Sequence, residues 1–198
     1  MNKHKIWEYL IQITIVIFGV FLGMMLNEWN SDRKASNEQK FALEQILIEI
    51  EEHGNWLENT IPYHDTITHV VDSIVKNSDQ NTLMRPFLIN GGWRQIPKWK
   101  GTQIYPLHAS AYESAKISNV LTNMDSELLG QISAYYEDID LYNQFCHHIT
   151  ATIFNTTSNT KFIDSMVIIR LLKEDLMSHE NTIQKTGSQL KIKIQEKL

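Results

Sequence analysis

The chain has 198 residues and a net charge of −5, from 18 Lys+Arg against 23 Asp+Glu. That length allows one domain with a real core or a domain plus an anchor, and the acidic balance leaves no basic footprint for nucleic acid. The single cysteine, Cys146, excludes an internal disulfide and every multi-cysteine metal motif, without fixing the compartment.

Residues 1–5, with Lys3 and Lys5, form a short basic flank. From Ile6 to Leu26 polar residues are few: Glu8, Gln12 and Thr14. A helix over 6–26 is about 31 Å long, which matches a hydrocarbon core of about 30 Å. Trp7 and Tyr9 stand at one end and Trp29 just past the other, where amphipathic rings favour the headgroup region. A signal peptide would need a small-x-small cleavage site, but the run ends in Met24, Met25, Leu26, Asn27. A soluble core helix would seldom stay apolar on every face. The segment is therefore read as a transmembrane anchor, with the lipid bilayer as its first partner. Gly19 and Gly23 share one helix face and Gln12 lies on roughly the same side, a pattern that lets a second helix approach closely. The partner expected there is a second copy or another membrane protein. Lys3 and Lys5 nearly balance Arg33, Lys34 and Lys40 across the span. Because Glu28 and Asp32 precede the bases on the far side, the expected orientation is a cytoplasmic N-terminus with a periplasmic domain, in the inner membrane.

The block "ITIVIFGVFLGMMLNEWNSDRK" resembles the start of a family of bacterial single-pass membrane proteins common in Bacteroidetes, through Gly19, Val20, Gly23, Asn27, Trp29 and Asn30. A second stretch, "AYESAKISNVLTNMDSELLGQISAYYEDIDLYN", is similar to a later part of that family, with Asn119 where the family often has Gly. The family has no assigned activity, so the resemblance implies architecture and location alone.

Beyond the anchor the helix is expected to continue as a stalk over 27–61. Leu43, Ile46, Leu47, Ile50, Leu57 and Ile61 give an apolar face, while Glu44, Glu49, Glu51, Glu52 and Glu58 are assigned to the wet face. Pro62 is expected to kink or end this helix, since a proline within a helix removes a hydrogen bond. Ile67, Val70, Val71, Ile74 and Val75 then form a second stripe.

Residues 77–106 break the pattern. They hold three of the four prolines, the Gly91–Gly92 pair, and Trp93 and Trp99. A long loop of this kind is usually functional or mobile. Arg94, Lys98 and Lys100 surround the two indoles and offer cation–π and hydrogen-bonding chemistry to an acidic ligand, glycan, lipid headgroup or partner. The competing, and favoured, reading is that Trp93 and Trp99 cap the bundle, because tryptophan is highly buried on average.

Helical periodicity resumes after Leu107. Asp125 is the expected N-cap of a long helix reaching Ile153, "NTTSNT" is a polar break, and Phe162 to Leu176 form the next helix. Leu190 and Ile194 mark a short last one. No period-2 alternation of any length occurs.

Motifs for chemistry are missing from the sequence. His64 and His69 are spaced five apart with no HExxH pattern, Asp65 and His69 read as an exposed pair, and His147 and His148 belong to no Glu-x-x-His repeat. Cys146 and His147 are helix neighbours pointing apart, and no phosphate loop or nucleophile elbow occurs. No metal, cofactor or catalytic residue is assigned. The expectation is an all-α protein with an N-terminal transmembrane helix (6–26) continuing into a helical stalk (27–61) and an antiparallel helical bundle (62–198). Its expected role is a non-catalytic interaction, scaffold or accessory subunit; the alternative is a ligand-sensing bundle acting through a partner.

Overall fold

The structure, a computed structural model, describes residues 3–89, 91–122 and 124–198, with side chains from Ile13 onward. Trp7, Tyr9 and Gln12 lie outside the described side chains. All regular elements among the described residues are helical, so the fold is all-α; an isolated antiparallel bridge joins Pro86 to Lys161.

Helix α1 runs without a break from Lys3 to Asn77, 75 residues, or about 110 Å of rod. Its N-terminal part is long and apolar enough to cross a membrane, and that apolar window is 0% buried. Phe18, Phe21 and Met24 expose 62%, 57% and 67% of their surface.

Burial begins at Ala42. From there Leu43, Ile46, Ile50, His53, Leu57, Thr60, His64, Ile67 and Val71 are all buried. Their spacing alternates three and four, the seam of a heptad helix. The seam keeps its register across Pro62, and α1 does not end there. Pro62 faces solvent, as does Glu58, whose carbonyl loses its amide partner, so water can satisfy that group. Proline costs a helix about 3 kcal/mol, and burial of Leu57 and Ile67 on the opposite face offsets it.

Helix α2 (Gln80–Met84) and a 3-10 turn (Gly92–Gln95) follow, then α3 (Ser110–Ile117) and α4 (Ser126–Phe154). Asp125 caps α4 as expected, its Oδ1 accepting the Glu127 and Leu128 amides at 3.1 Å. Helix α5 (Phe162–Leu171) continues through a π-helical turn (Leu172–Leu176) into α6 (Met177–Gln195). The short last helix expected around Leu190 is thus the end of a far longer rod. The π turn brings Leu172 and Leu176 to full burial and turns Lys173 outward to pair with Asp72 of α1.

Helix α6 is antiparallel to α1, with Lys191 paired to Glu51 and Glu180 to His64. It is also antiparallel to α4, with Lys193 paired to Glu127 and His179 against Phe145. Hence α1 and α4 run parallel. A parallel pair needs a connection as long as the bundle, which explains the 77–106 stretch. The chain descends alongside α1: Tyr63 donates to the Gly101 carbonyl at 2.6 Å, Tyr105 packs on Trp56 at 5.6 Å, and the Ala111 amide donates to Glu49 at 3.2 Å. At the end of α3, Asn119 adopts φ 56°, a left-handed turn that Gly and Asn tolerate.

Candidate functional site

The groups with most chemical potential lie inside the bundle. Glu49, His53, Thr60, His64 and Thr68 are all buried on the inward side of α1, facing α4, α6 and the descending chain. Glu49 therefore belongs to the interior and not to the wet face. Its Oε2 accepts the Tyr136 hydroxyl at 2.7 Å and its Oε1 the Ala111 amide, so the carboxylate ties α4 and α3 to α1. Tyr136 in turn stacks on Tyr112 of α3 at 4.4 Å.

One turn on, His53 Nδ1 lies 3.0 Å from the Tyr135 hydroxyl. Burial holds the His53 pKa down at about 4, so the imidazole is neutral near pH 7. Burial likewise raises the Tyr135, Tyr136 and Tyr142 phenols, and pushes the Cys146 thiol up to about 12. Cys146 is an inert core side chain.

Farther along, His64 and Glu180 are both 0% exposed. His64 Nε2 is 2.7 Å from the Thr102 carbonyl, which can only accept, so Nε2 carries a proton. His64 Nδ1 sits 3.1 Å from Glu180 Oε2 in hydrogen-bond geometry and 3.0 Å from Oε1 without it. The ring therefore bridges the Thr102 carbonyl and the Glu180 carboxyl. The pair fastens α1, α6 and the descending chain at one point. In the same region the His53 ring also faces the His108 backbone, and the Tyr142 hydroxyl lies beside the Trp56 indole and the Cys146 thiol.

These groups are buried and tie α1 to α3, α4, α6 and the descending chain, and Glu49 also borders a groove between α1 and α3. Among the described residues no group of three His, Cys, Asp or Glu side chains is placed to hold a metal ion. Asp65 and His69 form an exposed pair at 3.4 Å.

The tryptophan loop is part of the structure's cap. Trp93 stacks on Trp99 at 4.8 Å and meets buried Phe87 edge-on at 4.9 Å; both indoles are half-buried. Arg94, Lys98 and Lys100 are exposed, and the cation–π contacts among the described residues lie elsewhere, at Arg85–Phe162 and Lys116–Tyr112. The Lys100 amide donates to Tyr63 at 2.9 Å, so the loop is tied to α1 by its backbone. At the other end of the molecule Trp29 is 64% exposed, and a side chain added at Gly19 or Gly23 would touch nothing within 4 Å.

A surface groove of about 1110 Å³ lies between α1 and α3 at the end of the bundle nearest the apolar helix. Asn37, Phe41, Gln45 and Ile48 line one wall; Ser110, Ala111, Ser114, Ala115 and Ser118 line the other. Phe41 and Ile48 expose 62% and 49% of their surface.

No protein-family model, curated protein or solved structure matches the chain.

Sequence reasoning put Glu49 on the wet face, placed His64 in no motif, and singled out neither His53 nor Glu180. The signal available was spacing: 43, 46, 50, 53, 57, 60, 64, 67 and 71 alternate by three and four once polar residues are admitted to the seam.

Proposed function

We propose that this chain is a single-pass membrane protein that acts by contact, as a non-catalytic interaction, scaffold or accessory subunit of a membrane-associated complex. The observation that carries the reading is the unbroken α1, apolar and exposed over one part, seam of the bundle over another. Such a rod holds the bundle at a fixed height and orientation with no flexible linker. Trp7, Tyr9 and Trp29 serve as its interfacial anchors. The resemblance to the Bacteroidetes single-pass family supports the same architecture. The proposed location is the inner membrane with the bundle in the periplasm. Exposed Arg94, Lys98 and Lys100 around the capped tryptophan pair offer a contact surface at the far end.

The test is alkaline carbonate extraction of membranes from cells making the full chain, with a compartment-sensitive reporter fused at Leu198. Retention in the pellet at uncleaved mass, with periplasmic reporter activity, is expected. A shorter soluble product would show a cleaved leader and overturn the anchor, and a cytoplasmic signal would reverse the orientation.

The α1–α3 groove favours a second reading, a ligand-sensing bundle that signals through a partner. A ligand there would raise the melting temperature of the wild-type chain and leave that of a Phe41→Glu, Ile48→Glu variant unchanged.

A further inference from the structure

The groove and the glycine pair lie on the same side of α1. At 100° per residue, Gly19, Gly23, Asn30, Asn37, Phe41 and Ile48 fall within an arc of about 40°, and Lys34, Gln45 and Glu52 extend it to about 80°. Within the folded chain this arc is uncovered: the described members are exposed, and nothing approaches the two glycines. Resting on the membrane-anchored reading above, we infer that this face pairs α1 with α1 of a second copy, in parallel, from Gly19 to Ile48, with each groove receiving the other copy's stalk.

Three features select a second copy. Two chains anchored in one membrane with one orientation necessarily present α1 in parallel, so a face running from the membrane span into the stalk meets its like in register. In a parallel pair a flanking residue meets the partner's residue five positions farther on. Here that sets Arg33 of one copy against Glu38 of the other, twice by symmetry. Asn30 and Asn37 are seven apart and both fall on the seam, where polar residues specify register and oligomer state. The Ser/Ala wall of α3 has the small side chains that let another backbone close in. A lipid tail fits poorly, because the groove starts ten residues past Asn27, about 15 Å beyond the apolar run.

Cysteine-scanning crosslinking of the full chain in native membranes tests this. The native Cys146 is buried, so introduced thiols report alone. Asn37→Cys, Phe41→Cys and Ile48→Cys, treated with a short bismaleimide, are expected to give an adduct of twice the chain mass. Asp32→Cys, exposed on the opposite side of the same helix, is expected to give several-fold less. Adding Phe41→Glu and Ile48→Glu to Asn37→Cys is expected to abolish the adduct. All three target sites are exposed, so the fold tolerates the changes. With the chain retained in carbonate-washed membranes, equal crosslinking at all sites, no adduct, or an adduct of another mass overturns the pairing and leaves the anchor standing. Release of the chain by carbonate overturns the anchor, and the pairing with it.

Discussion

The outer and inner parts of α1 are the same helix with opposite logic. Residues 13–26 expose large apolar side chains all round, whereas residues 42–77 hide apolar and polar groups together along one seam. In the outer part, composition alone makes the helix long and apolar enough to cross a membrane. In the inner part, composition is misleading. Glu49, His53, Thr60 and His64 would read as surface residues anywhere else, yet each is buried and all but Thr60 hydrogen-bond an adjacent element. One span is defined by what it lacks; the other by which polar groups find partners.

Breaking the partnership at its most buried point should have the largest effect. Glu180→Leu leaves the buried His64 Nδ1 without its partner, and is expected to cost about 3–5 kcal/mol. Adding His64→Leu removes the orphaned group and leaves chiefly the Thr102 carbonyl unsatisfied, at about 1–3 kcal/mol. Denaturant unfolding of the detergent-solubilised chain should therefore find the double variant more stable than the single. Equal or additive losses would show that the pair is not coupled.

Acid should loosen the inner part next. The His53 pKa is about 4 in the fold against 6.5 in an unfolded chain, so as pH falls the unfolded chain takes the proton first. Stability from this site is complete above about pH 6.5, is lost between there and pH 4, and then levels off. The interval corresponds to about 3 kcal/mol. His53→Gln keeps a polar contact to Tyr135 without titrating. The difference in melting temperature between wild type and variant should vary with pH only inside that window; a pH-independent difference would remove His53 as the cause. The apolar outer span has no comparable group among its described residues and contributes nothing to this curve.

Pro62 offers a test in the other direction. Pro62→Ala restores an α1 hydrogen bond on the solvent face and gives back some unfolded-chain freedom. A net gain of about 2 kcal/mol is expected. A loss would mean that the proline sets the angle at which the two sides of α1 meet their surroundings.

The same contrast governs how much could be read from sequence. The all-α class, the apolar span, the Asp125 cap and the loop position follow from local chemistry: periodicity, a capping side chain, clustered proline and glycine. Of the two outcomes expected at Pro62, the end of the helix did not occur, and that reading and Glu49 as wet failed for one reason. Both depend on a tertiary partner, the opposite face in one instance and Tyr136 in the other, and single-residue preferences know nothing of partners. Heptad spacing through His53, Thr60 and His64 was visible and would have corrected both, had polar residues been counted as seam members. The parallel course of α1 and α4 was also implicit. A connection longer than 40 residues between two long helices is more than an antiparallel neighbour needs, and its extended, proline-bearing part is the return path.

Glycine supplies the smallest and sharpest comparison, because the same residue occurs in open and closed settings. At Gly54 an added methyl meets nothing within 4 Å, so Gly54→Ala should stabilise the helix by about 0.5–1 kcal/mol through propensity. At Gly187 of α6 the methyl would lie 3.1 Å from the Tyr135 ring and 3.5 Å from Ile50. Tyr135 cannot retreat freely while its hydroxyl holds His53, so Gly187→Ala should lose about 1 kcal/mol despite the better propensity. Combining Gly187→Ala with Tyr135→Phe frees the ring from that bond and should recover part of the loss. If it does not, the closeness of α6 to α1 is set by the backbone and not by the polar seam.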